Sequence, residues 1–118
     1  LLVRGEKMDV AYDYIKKALD ISPDDGYIRD SLGWYYYKTG DVKKALHELN
    51  FAHKKGPDDI ESLKHLALIH EEMKDYGKAR SYLQNALKHA KYKSDREEIL
   101  SRIESLNDDR VPASKDID

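Results

Sequence analysis

Five histidines are the side chains in this chain most able to do chemistry. His70-Glu71 has the opening of a zinc-peptidase helix, in which two histidines four residues apart bind metal and the glutamate acts as base. The second ligand position, however, is filled by Lys74. His65 and His70 are five residues apart and face different sides of a helix, while His47, His53 and His89 are scattered, so no zinc-ligand spacing appears. Cysteine is absent, which excludes disulfides, thiolate chemistry and sulfur-ligated zinc and leaves the redox compartment undetermined. The six glycines form no phosphate-binding loop, and no serine or threonine has a base and acid set around it. The sequence predicts no catalytic residue, no metal site and no cofactor. A non-enzymatic chain is expected.

The elements that would position these side chains follow from length and repetition. With 118 residues the chain is long enough for one continuous core and too short for two independent domains. Its 21 Lys and Arg nearly cancel its 23 Asp and Glu, which argues against nucleic acid as a partner. No apolar run approaches the roughly 20 residues that span a bilayer. No direct membrane insertion is expected, and the sequence reads as soluble. It starts at Leu1 rather than at methionine, so a piece of a longer protein is expected, with room for a targeting signal upstream.

Internal repetition decides the fold class. Ala11, Ala45 and Ala79 are spaced by 34 residues, as are Ile15, Leu49 and Leu83, and Ala18, Ala52 and Ala86. Six of the nine alanines fall in two of these registers, a concentration that chance placement would rarely give. Pro23 and Pro57, Leu32 and Leu66, Gly33 and Ala67, and Asp41 and Asp75 keep the same interval. A period of 34 residues marks a repeating unit that buries its apolar face only by stacking on its neighbours.

Residues 26–59 carry Leu32-Gly33, Tyr36, Gly40-Asp41, Ala45, Leu49, Ala52 and Pro57, a pattern that resembles the tetratricopeptide repeat. The family's usual tryptophan is Arg29 here, and a tryptophan stands instead at Trp34. Residues 60–91 keep Leu63, Leu66, Ala67, Ala79, Leu83 and Ala86, but His70 replaces tyrosine and Lys91 replaces proline. Of a first, partial repeat over residues 1–25, Leu1–Val3 would be the tail of one helix and Val10–Ile21 the second. The resemblance implies an all-α, right-handed solenoid of antiparallel hairpins, with helices over residues 10–21, 25–38, 42–55, 59–73 and 76–91. Small residues at Gly33, Ala45 and Ala52 would let backbones approach, and Leu32, Tyr36 and Leu49 would fill the seam. Gly40 would end one helix in the left-handed region and Asp41 would cap the next.

Ser94-Asp95-Arg96-Glu97 has the form of a capping box, and Ile99, Leu100, Ile103 and Leu106 follow at amphipathic spacing. A capping helix over residues 92–107 is expected, followed by a disordered polar tail over 108–118.

The resemblance further implies that the first helix of each hairpin lines a concave groove that holds a peptide or helix of a partner protein. The matching positions are Tyr27, Asp30, Ser31, Trp34, Tyr37 and Lys38 in one repeat and Glu61, Lys64, His65, Leu68, Glu71 and Glu72 in the next. Trp34 and Tyr37, three apart, would form an aromatic ledge, although Trp34 could instead pack between neighbouring first helices. Tyr35 and Tyr36 read as seam residues. Family members that clamp a peptide carboxylate carry lysine, asparagine and arginine at set groove positions. Asp30, Trp34 and Leu68 break that pattern, so a ligand with apolar side chains and some basic charge, facing Glu61, Glu71 and Glu72, is favoured.

The alternative function is self-association. Tyr12, Ile15 or Leu19 would be partly bare on the first helix, which could pair with a copy of itself as a dimer. The order of residues from Asp24 to Asp41 also looks like a subgroup of bacterial repeat proteins, many exported or lipid-anchored; a cytoplasmic adaptor is the other reading of compartment.

Overall fold

Aspartate sets the start of four helices in a row, in two pairs with the 34-residue interval. A computed structural model describes residues 2–107, with side chains from residue 9 onward. Among these residues there are six helices and no strand: α1 (Leu2–Ile21), α2 (Gly26–Lys38), α3 (Val42–Lys55), α4 (Ile60–Glu72), α5 (Tyr76–His89) and α6 (Lys93–Leu106). Asp25 accepts from the backbone N–H groups of Tyr27 and Ile28 at 2.9 and 3.3 Å, and Asp59 accepts from Glu61 N–H at 3.3 Å. Asp41 and Asp75 accept in the same way from Lys44 and Lys78, at 3.1 and 3.4 Å. Each carboxylate satisfies N–H groups that the first helical turn leaves unpaired.

The turns inside the hairpins are also paired. Gly40 has φ 89° and Lys74 has φ 64°. Asp41 N–H donates to Tyr36 C=O at 2.9 Å and Asp75 N–H to His70 C=O at 2.8 Å, the long bond of a Schellman end. One turn carries the glycine this conformation favours. The other forces a lysine into it.

The chain divides into two compact units, Leu1–Pro57 and Asp58–Asp118. In the first, α2 and α3 form a hairpin closed at Gly33. A Cβ there would lie 2.7 Å from Leu49 Cγ and 3.2 Å from Ala45 C=O, so the close approach of the two helices requires glycine. Leu32, Ala45, Leu49 and Ala52 are buried. Helix α1 packs on α2, with the Tyr12 and Tyr35 rings 4.9 Å apart. Burial, followed by a hydrogen bond with Tyr12, pushes the Tyr36 phenol up.

In the second unit, α4, α5 and α6 share a core of Leu63, Ala67, Ala79, Leu83, Ala86, Ala90, Ile99 and Leu106. Arg96 Nη1 donates to Leu87 and Ala90 C=O at 3.0 and 3.2 Å, tying the first turn of α6 to the end of α5.

Two expectations are corrected. Helix α1 runs unbroken from Leu2 to Ile21, so Leu2 and Val3 are not the tail of a separate helix. Where the later hairpins have Gly40-Asp41 or Lys74-Asp75, this segment has Glu6-Lys7, and both residues favour helix. The capping box at Ser94 does not form. Helix α6 starts at Lys93 with Tyr92 as its cap and no side-chain cap bond, placing Ser94 already inside the first turn. The proposed polar tail over residues 108–118, like Leu1, lies outside the described residues.

Candidate functional interface

In the first unit, helical periodicity brings three of the expected groove residues onto one face of α2. Trp34 and Tyr37 stack with ring centroids 4.9 Å apart and planes inclined by 30°. The Lys38 ammonium stands 5.0 Å from the Trp34 ring centroid and 6.0 Å from that of Tyr37. Such a cation is held by the negative face of the rings. Tyr27, on the first turn, is 75% exposed. Ser31 Oγ donates to its C=O at 3.2 Å. Asp30 is half-buried.

In the second unit the charges pair among themselves. Lys64 Nζ lies 3.4 Å from Glu61 Oε1 and 2.9 Å from Glu98 Oε1. Burial by itself pulls the Lys64 ammonium down, but the hydrogen bond to Glu98 and the Glu61 and Glu98 charges outweigh it and hold the group above its ordinary value. Arg102 Nη2 donates to Lys64 C=O at 3.3 Å. His65, Leu68 and Glu71 are half-buried, and Glu72 is exposed.

Glu98 and Arg102 were not among the expected groove residues. Their signal was positional: Glu98 follows Lys64 by 34 residues and Arg102 follows Leu68 by the same interval, so α6 continues the register of the first helices.

The replaced family tryptophan also has a physical account. Arg29 Nη1 donates to the buried Glu48 at 3.0 Å, its Nε donates to Pro23 C=O at 3.0 Å, and its guanidinium lies 4.9 Å from the Phe51 ring centroid. Arg29 is therefore a hairpin-packing residue.

The histidines do not converge. His70 is buried and stacked on Tyr82 at 5.4 Å, with Nδ1 lacking a hydrogen-bond partner. Burial, and secondarily the Lys78 charge, lowers its pKa, against a smaller opposing effect of Asp75. His89 Nε2 is 3.5 Å from Asp58. His47 and His53 border a shallow depression of about 400 Å³ on α3, with Asn50, Phe51 and Lys54. Among the described residues no three His, Asp or Glu side chains gather as a metal site. Nor is any of the described helices long and apolar enough to cross a membrane.

Residues 60–90, comprising α4, its turn and α5, match the family model described as a tetratricopeptide repeat. No curated protein matches the chain.

Proposed function

We propose, from the tetratricopeptide repeat that this chain carries, that it holds a segment of a partner protein against the Trp34–Tyr37 face of α2. The repeat is a protein-interaction module, and an all-α fold of this kind is typically a non-enzymatic scaffold. The observation that carries the reading is the Trp34–Tyr37 stack with Lys38 beside it. Paired aromatic rings offer a large, rigid contact area at little entropic cost, and such residues dominate binding energy at protein interfaces. An extended peptide or an amphipathic helix with apolar side chains suits this ledge. Lys38 would add a carboxylate contact at its edge. In the second unit Glu61 and Glu98 already engage Lys64, which weakens the expectation that a basic ligand is needed there.

The test is capture from extracts of the source organism by the wild-type chain and by a Trp34→Ala, Tyr37→Ala variant of equal helicity. A partner retained by the first and lost by the second supports the reading. Equal retention refutes it.

A second reading, self-association, is favoured by the exposed apolar residues Val10, Tyr14 and Ile21 on α1. These lie on the side of the helix away from Leu19, which is buried.

A further inference from the structure

The 34-residue register assigns a partner to the open face of α1. In α3 the residues Ala45, Leu49 and Ala52 are buried in a hairpin, and in α5 the equivalents Ala79, Leu83 and Ala86 are buried in the same way. The corresponding residues of α1 are Ala11, Ile15 and Ala18. Ala11 is exposed and the other two are only half-buried. Tyr14, in the register of the buried Glu48, is 70% exposed. Helix α1 therefore has the face of a hairpin's second helix, and among the described residues no first helix lies on it.

Helix α6 has the complementary face. Leu32 and Leu66, which stand on the first helices of the two hairpins, are buried, whereas Leu100 in the same register is 44% exposed. Ser101 takes the place of Gly33 and Ala67 and is also exposed. The side of α6 carrying Ile99 and Leu106 is used against the core of its own unit. Among the described residues, what stays open is the side carrying Ser101, which in the register of Gly33 is the side a second helix covers.

We propose that α6 of one copy docks on α1 of a second copy, completing between two chains the hairpin that each helix half-encodes. Three features fit the two faces together. Leu100 would be covered by the Ile15 and Ala18 face, gaining the burial that Leu32 and Leu66 have in this register. Ser101 would sit against Ala11 and Ile15, where Ala67 shows that a Cβ is accommodated opposite an aliphatic residue. Arg29 and Phe51, in contact within the α2–α3 hairpin, become Glu97 and Lys17 in this register, so opposite charges face each other. Lys17 and Glu97 are both exposed, and Glu97 lies 3.8 Å from Lys93 on its own helix.

The contact is heterologous: each chain offers α6 to one neighbour and α1 to another, so association does not stop at a dimer. A single helix-on-helix contact is small, and the affinity is correspondingly weak. The inference deepens the self-association reading and rests on it.

Sedimentation velocity of the 118-residue chain from about 10 to about 500 µM, a range that brackets weak association, tests both. Leu100→Asp breaks the α6 face and Ala11→Glu breaks the α1 face, each at an exposed position where the fold, checked by circular dichroism, is retained. The wild type is expected to form dimers and larger species with rising concentration. Each variant alone should associate at least tenfold more weakly, while an equimolar mixture of the two, which retains one intact α6 and one intact α1, should form dimers and nothing larger. If Leu100→Asp associates like wild type while Ala11→Glu does not, α1 pairs with α1 and the α6–α1 contact is wrong although self-association stands. A wild-type chain that is monomeric throughout overturns both.

Discussion

Arg29 and Glu48 join the two helices of the first complete hairpin by a 3.0 Å ion pair whose carboxylate is buried. The same two positions in the second hairpin are Leu63 and Tyr82, both packed in an apolar core. One backbone arrangement is thus closed by a polar pair in one repeat and by an apolar pair in the next. Removing one charge from a buried pair leaves the other uncompensated, whereas replacing both with well-packed apolar groups is often neutral. Arg29 remains partly exposed, so the penalty is discounted for solvent screening. Arg29→Leu is expected to cost about 2 kcal/mol in urea denaturation. Arg29→Leu with Glu48→Tyr, which transplants the second hairpin's pair, is expected to lie within about 1 kcal/mol of wild type.

The two Schellman turns predict opposite effects of glycine. Lys74 is held at φ 64°, where a side chain costs about 1–2 kcal/mol. Part of that is recovered on substitution, since glycine is itself more costly to order. Lys74→Gly is therefore expected to stabilise by about 0.5–1 kcal/mol, and Gly40→Ala to destabilise by about 1 kcal/mol. Thermal unfolding of the two variants reads both signs.

At Gly33 the constraint is space. Gly33→Val would press a branched side chain against Leu49 and the Ala45 carbonyl and is expected to cost about 3 kcal/mol. Loss of helicity at a lower denaturant concentration would register it.

His70 predicts a pH dependence. Its folded pKa lies below the ordinary value of 6.5, so the unfolded chain takes up a proton more readily. The stability contributed by a neutral His70 is full above that ordinary value and is lost as pH falls through and below it. Unfolding temperatures between about pH 7 and pH 5 should fall more steeply for wild type than for His70→Phe. The variant removes the titrating group while keeping an aromatic ring beside Tyr82, and Nδ1 leaves no partner behind. Parallel slopes would contradict this account of His70.

The hairpins were legible because close helix packing allows so few residues. Ala45, Leu49 and Ala52 recur as Ala79, Leu83 and Ala86, and all six are buried. The Asp41 cap was legible for a similar reason, since few side chains accept from a helix's first N–H groups. The unbroken α1 was harder to read, because its only sign is the lack of a turn at Glu6-Lys7. The pairing of Lys64 with Glu98 had no local pattern to announce it, and its one sign was the 34-residue interval that carries α6 into the register of the first helices. Likewise Arg29, met where a tryptophan is usual, could be read only once Glu48 and Phe51 were seen beside it. The Trp34–Tyr37 stack was expected from a spacing of three residues on a helix, while the position of Lys38 over the rings was not.

Trp34 is the only tryptophan in the chain, so its emission reports on the α2 face alone. The most direct test of the interaction account is to titrate the captured partner into the wild-type chain and follow that emission beside calorimetry. A saturable shift of Trp34 emission, with the calorimetric affinity and lost in the Tyr37→Ala variant, is the predicted result. Calorimetric binding that leaves the emission unchanged would contradict it and place the partner elsewhere on the molecule.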